Sequence, residues 1–310
     1  MGRFYYWHET LYKLFLLLNM AKTIAEGFNT FHSWLTPTVT ESEKAKKHRA
    51  SIKACIEANF GLNRFFRTGS FGNGTSISSY SDVDYFASIP RDKLKQNSSL
   101  TLQELKKVLD SRFPSTGIRI DAPAVVAPFG DELAETTEIV PADFLYLSER
   151  HKKNVYDIPD GLGGWMRSSP DSHNYYVDYY NTKLNKKLKP LIRFIKAWKY
   201  YRDVPISSFY LEIFVTRYAS NEESIVYSID TKSIFKRLQD SLLADISDPM
   251  GISGNIRACV NDEKKTDVLT KLKRAVDRSS NAVSAENASR ISDAFDWWNK
   301  VYNDCFPSYY

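Results

Sequence analysis

The feature that most constrains this chain is a pair of aspartates. Asp82 and Asp84 stand at the head of the segment Asp82–Ile89 (DVDYFASI), twelve and fourteen residues after Ser70 of a Gly69-Ser70 step. The alternation of that segment predicts a strand. Side chains at i and i+2 leave the same face of a sheet. Two carboxylates so placed make a hard oxygen site suited to Mg²⁺ or Mn²⁺. The stretch before them, Gly69–Thr75 (GSFGNGT), reads as a glycine-rich loop. Gly69 permits close backbone approach, Ser70 offers a hydroxyl to phosphate, and the backbone amides of such a turn can form an anion nest. Loop and strand together would hold a metal-bound triphosphate beside the aspartates.

Apolar spacing at positions 24, 28, 31, 34 and 35 predicts a helix over Ile24–Leu35, broken by Thr36-Pro37-Thr38. Further helices are expected over Ser42–Asn59 and Leu100–Arg112. Strands are expected over Gly117–Phe129 and Glu135–Leu145, with a turn at Gly130-Asp131. The glycines, prolines and serines of Asp157–Asp178 read as a connecting loop. Beyond it the pattern is helical, over Leu184–Tyr201, Ser207–Arg217, Asp267–Arg278 and Ala285–Asn303. The class is therefore α+β, a mixed-sheet lobe over 20–180 followed by a helical lobe over 181–310. Residues 1–19 are expected to be an extension upstream of the core fold, since Met20 begins a plausible start and YKLFLLLN (Tyr12–Asn19) is too short to span a bilayer.

Composition narrows the function classes. The 310 residues are 43% apolar and 25% charged, an ordinary globular balance. Three widely spaced cysteines exclude a disulfide framework or zinc knuckle and fit a reducing cytoplasm. The net charge of +5 is too mild to demand a nucleic-acid partner. His48, His151 and His173 have no metal-ligand partners at useful spacing and are assigned no role.

Two metal ions about 3.5–4 Å apart can clamp an in-line displacement at phosphorus, and a third acid completes such a site. The candidate strand is Thr137–Asp143 (TEIVPAD), which offers Glu138 and, as fallback, Asp143. The series Gly69–Thr75, Ser81–Asp84 (SDVD), Glu138–Ala142 (EIVPA) and Phe194–Glu212 (FIKAWKYYRDVPISSFYLE) resembles the polymerase β-like nucleotidyltransferases. More narrowly, it resembles the bacterial CD-NTases, the cyclic GMP-AMP synthase-like enzymes of CBASS antiphage signalling. Gly164-Trp165 and Ser169-Pro170 resemble a linker of that family.

The resemblance implies an oligoadenylate synthase-like bilobal enzyme with its active site in the cleft. It would make a cyclic di- or trinucleotide from nucleoside triphosphates, release pyrophosphate, and act through a cyclic-nucleotide-responsive effector. Asp82, Asp84 and Glu138 are implied as ligands of two Mg²⁺ or Mn²⁺ ions, although many relatives carry Asp at the third position. Gly69, Ser70, Lys196 and Ser208 are implied to hold phosphates, with Lys199 a surface residue. Phe209 stands where a base-stacking ring is common, and Tyr210 adjoins it, leaving the stacking ring open between them. A linear oligonucleotide synthase, a transferase to another acceptor, and a degenerate nucleotide binder share these motifs.

Overall fold

The computed structural model describes residues 21–37, 39–78, 80, 82–129 and 135–310. The proposed extension 1–19 and the turn at Gly130-Asp131 lie outside the described residues. Two compact units are present. One comprises 36–189 with 246–256, and the other comprises 21–35, 190–245 and 257–310.

The first unit is a sheet with helices on one face. Its strands are β1 (Arg64–Arg67), β2 (Val83–Ser88), β3 (Arg119–Asp121), β4 (Ala124–Phe129), β5 (Glu135–Leu147), β6 (Asn154–Pro159) and β7 (Trp165–Ser168). The order is β1-β2-β5-β4-β3, with β6 paired to β5 and β7 to β6. β5 is long enough to serve twice. Its first half lies parallel to β2 and antiparallel to β4, and its second half pairs with β6 on both sides of a bulge at Phe144/Tyr146. Alternation sorts the sheet's side chains. Val83, Tyr85, Ala87, Val125, Ala127 and Ile139 face a core. That core is filled by Ile52, Cys55, Ile56 and Phe60 of the helix Val39–Phe60 and by Leu102, Leu105 and Leu109 of Ser98–Arg112. The spacings of three and four residues put each set on one helical stripe. Phe86, Ala124, Val140, Ala142, Tyr156 and Ile158 form a second cluster on the other face.

Two expectations are corrected here. Gly117–Phe129 is two strands, folded back at Ala122-Pro123. Asp157–Asp178 is not a loop. It holds the β6–β7 hairpin, turned at Gly161 and Gly163, where φ is +84° and +96°. Asp160 Oδ1 accepts from the amides of Leu162 (2.7 Å) and Gly164 (2.9 Å) and closes that turn. Ser169-Pro170 then starts the helix Pro170–Lys183, with serine at the cap and proline in the first turn. Small and turn-forming residues were doing two jobs, ending a hairpin and opening a helix.

The second unit is helical: Ile24–Leu35, Leu188–Tyr201 (its first two residues belonging to the sheet unit), Ser208–Ala219, Tyr227–Asp240, Asp262–Asn287 and Ile291–Val301. The helix Tyr227–Asp240 was not anticipated, and Asp267–Arg278 is the middle of a longer element. The expected helix Ala285–Asn303 is broken at Ser289, whose φ is +58°. Ile24–Leu35 belongs to this unit because Phe28 packs edge-on against Phe194 (4.9 Å), Trp298 (5.0 Å) and Phe306 (5.1 Å). Trp34, expected on its apolar face, is instead 43% exposed. Residues 246–256 return to the sheet unit through a buried contact between His173 Nε2 and Asp248 Oδ1 at 3.1 Å, which gives His173 a structural task. The chain thus divides after 189 rather than at 180/181, with both ends of the described sequence in the helical unit. No helix among the described residues is long and apolar enough to cross a membrane.

Phe28 is fully buried, so Phe28→Ala is expected to destabilise by about 3–5 kcal/mol through lost contacts and the cavity left behind. Denaturant melts of the two proteins measure it.

Candidate active site

The parallel pairing of β2 with β5 sets Asp84 directly beside Glu138, and β4 sets Val126 beside Glu138 on the other side. Directly paired residues share a face, so both carboxylates leave the sheet away from the helix-packed core. Asp82 lies two residues before Asp84 and is exposed.

The Gly69-Ser70 step is not a loop but one turn of helix, Gly69–Gly72, closed by bonds from Gly72 N to Thr68 O (2.8 Å) and Asn73 N to Gly69 O (3.0 Å). Its entry is tied to β2 by Thr68 N donating to Asp84 O at 2.8 Å. Gly69 has φ +54°, and a Cβ there would fall 1.8 Å from Asp84 Oδ2. Only glycine fits, for conformation and for space. The amides that open a helical turn have no partner within it, which keeps them available to an anion. The Ser70 hydroxyl makes no hydrogen bond among the described residues.

Burial pushes Glu138 up to about 8, reinforced by the charges of Asp84 and Asp82, a hydrogen bond shared with Asp84, and the charge of Asp121. Asp121, at the end of β3, is an acid the sequence reading did not single out. Its signal was slight, a lone exposed aspartate in a stretch read as one continuous strand. Asp143, the fallback acid, is set apart from this cluster. Five residues along β5 it is buried and ion-paired to Arg91 at 3.0 Å. Desolvation raises its pKa against the opposing pull of Arg91.

The donor set fits a divalent cation. It is all carboxylate oxygen, and charge repulsion among its members is what a cation would relieve. Among the described residues no three His, Cys, Asp or Glu side chains form a ready-made metal cage. Mg²⁺ is ordinarily held in such sites by one or two carboxylates together with substrate phosphates and water, and this arrangement suits that mode.

The helical unit places the two lysines in different surroundings. Lys196 is 1% exposed, its ammonium 4.0 Å from the Glu212 carboxylate. Withdrawing it toward a phosphate would strand a buried charge. Lys199, read as surface, donates to Ser208 Oγ at 2.5 Å, and Tyr200 OH lies 3.4 Å from the same oxygen. Ser207 caps the helix by accepting from Tyr210 N (3.2 Å), which leaves Ser208 as the serine of the pair. Tyr210 is fully buried with its hydroxyl donating to Ala244 O, whereas Phe209 is 38% exposed. Phe209 is therefore the more exposed ring of the two.

A model described as the Second Messenger Oligonucleotide or Dinucleotide Synthetase domain matches residues 22–181. A Bacillus cereus protein named "Probable cyclic nucleotide synthase" is 29% identical over 176 residues, 56% of this chain and 52% of that protein. The cyclic AMP-AMP-AMP synthase of an Acinetobacter species is 28% identical over 165 residues, 49% of this chain and 47% of that one. The chain thus spans about half the length of the curated relatives it matches. CdnC of E. coli MS115-1, solved with ATP, superposes with a TM-score of 0.70 at 18% identity, covering 91% of this chain and 98% of its own. That likeness establishes a shared fold.

The raised pKa of Glu138 has a consequence for stability. Folding keeps a proton that the unfolded chain releases above its ordinary value of 4.5. Stability of the metal-free protein therefore falls as pH rises from there through about 8. At pH 8, Glu138→Gln is expected to stabilise the metal-free protein by about 2 kcal/mol, or about 3 °C in Tm. At pH 4.5 the two proteins should melt together. Thermal melts in EDTA across that range measure both.

Proposed function

This chain belongs to the Second Messenger Oligonucleotide or Dinucleotide Synthetase family, and on that premise we propose that it joins nucleoside triphosphates into a cyclic oligonucleotide. A 2′ or 3′ hydroxyl of one nucleotide attacks the α-phosphorus of another. The new phosphodiester bond forms as the bond to pyrophosphate breaks, and a second attack within the linear intermediate closes the ring. The observation that carries this reading is the in-register pair Asp84–Glu138 with the Gly69 turn pressed onto Asp84.

In this proposal Asp82, Asp84 and Glu138 hold Mg²⁺ or Mn²⁺. When bound, the ions lower the pKa of the attacking hydroxyl and neutralise charge on the leaving pyrophosphate. The residues' own work is positioning. Ser70 and the amides of the Gly69–Gly72 turn bind phosphate oxygens, the Lys199 ammonium with Ser208 holds the triphosphate, and Phe209 stacks on a base. Such catalysis draws on fixed geometry and electrostatics rather than on a covalent enzyme intermediate. The Acinetobacter relative's name supports cyclic products of adenine nucleotides as the first class to test. We extend the proposal to a cytoplasmic, antiphage signalling role, with the product read by a cyclic-nucleotide-responsive effector.

The test is incubation with all four ribonucleoside triphosphates and Mg²⁺ or Mn²⁺, followed by phosphatase and mass spectrometry. A phosphatase-resistant product is expected, lost in Asp82→Ala/Asp84→Ala. Products wholly sensitive to phosphatase would replace the cyclase with a linear synthase. Gly69→Ala is expected to lower the rate about 100-fold or more, because the methyl group must displace Asp84 from its position. In the same assay Lys199→Ala should raise KM for triphosphate more than Lys196→Ala does, with the fold of each variant checked by circular dichroism.

A further inference from the structure

The helical unit carries a concentration of positive charge that the proposed reaction does not use. Along the helix Asp262–Asn287, Lys271, Arg274, Ala275 and Arg278 fall on one stripe by their spacing of three and four residues. With Trp198 and Arg202, at the end of Leu188–Tyr201, and Val301, at the end of Ile291–Val301, they line a cavity of about 200 Å³. Four of the seven lining residues are cationic.

These cations are held in place but only partly neutralised. Arg202 donates to the carbonyls of Lys300 and Val301 and to Asn303 Oδ1 (2.7 Å), and Arg278 also donates to Lys300 O. The C-terminal carbonyls of a helix attract guanidinium groups, yet they carry no formal charge to cancel them. Lys271 pairs with Asp267 at 2.9 Å and donates to Asp203 O. Arg274 makes no hydrogen bond or ion pair among the described residues. Burial lowers the pKa of Arg202, and nearby Arg278 and Arg274 push the same way, with Asp304 opposing. The fold thus tolerates mutual repulsion around a concave space.

We propose that this cavity binds a small phosphate-bearing anion, with a diphosphate group as the class that fits. A cavity this size is below the roughly 300–1,000 Å³ of pockets that enclose a whole drug-sized ligand. It takes the charged group and leaves any attached organic part outside. Guanidinium forks match phosphate oxygens two at a time, and Arg274 with the remaining donors of Arg278 and Lys271 supplies them. Trp198 closes the apolar wall. A polynucleotide backbone spreads single charges along an open face, whereas four cations around one cavity favour a compact, multiply charged end group. Neither Lys199 nor any residue of the carboxylate cluster lines this cavity.

The experiment is isothermal titration of the full chain with inorganic pyrophosphate in EDTA. It compares wild type, Arg274→Ala, Arg274→Glu and Lys199→Ala. Pyrophosphate is expected to bind wild type and Lys199→Ala alike, and to bind Arg274→Ala about tenfold more weakly. Arg274→Glu should abolish binding. The ligand-free Tm should stay unchanged in Arg274→Ala, since that side chain is exposed and holds no partner. Affinity should fall as salt rises. Equal affinity in wild type and Arg274→Ala would overturn the proposal, as would loss of binding in Lys199→Ala alone. So would an absence of pyrophosphate binding, including the case where a short RNA or DNA duplex binds through Arg274 instead.

Discussion

The arrangement of the acidic site depends on the parallel register of β2 and β5. Val83, Tyr85 and Ile139 are buried against the helices Val39–Phe60 and Ser98–Arg112, and that burial fixes which face every alternate residue takes. A slip of one residue would carry Glu138 into the helix-packed core and bring Ile139 out. The apolar core therefore enforces the pairing of Asp84 with Glu138, although neither carboxylate touches it. The same strand accepts the approach of Gly69, so a hydrophobic register positions both the acids and the turn that faces them.

That enforcement explains why two acids can stand side by side in a folded protein. Burial, together with repulsion from carboxylates at adjacent register positions, holds the Glu138 proton toward neutral pH. Asp143 makes the contrast. It lies on the same strand, but on the opposite face, and Arg91 answers its charge. One carboxylate has a permanent protein cation, whereas the other is left beside further acids. A site built to receive an external cation has the second character. Asp121 extends the negative field from a third strand.

The chemistry was legible in the sequence where it was carried by residue type at fixed spacing. Asp82, Asp84 and Gly69-Ser70 announced a strand and a close approach before any coordinates, because alternation and the unique freedom of glycine are local properties. The third acid could be narrowed only to Glu138 or Asp143. Their difference is the face of a strand and the presence of Arg91, fifty-two residues away in sequence. The hairpin and helix inside Asp157–Asp178 were missed for a related reason. Gly161, Gly163, Ser169 and Pro170 are loop-forming residues in isolation, and only the pairing of β6 with β5 shows that they separate ordered elements. Membership of Ile24–Leu35 in the helical unit rests on contacts between Phe28 and rings more than a hundred and sixty residues distant, which periodicity cannot report.

Lys196 and Lys199 carry the same side chain in different surroundings. They are three positions apart on one helix, yet Lys196 is enclosed with Glu212 and Lys199 reaches Ser208. A buried lysine opposite a carboxylate is a closed pair, because removing either partner leaves an uncompensated charge. The same distinction runs through the molecule. The sheet unit sets Asp82, Asp84 and Asp121 around Glu138, and the helical unit lines a cavity with Arg202, Lys271, Arg274 and Arg278. A mixed cluster closes into pairs like Lys196 and Glu212, whereas a cluster of one sign leaves charge that a ligand of the opposite sign can answer.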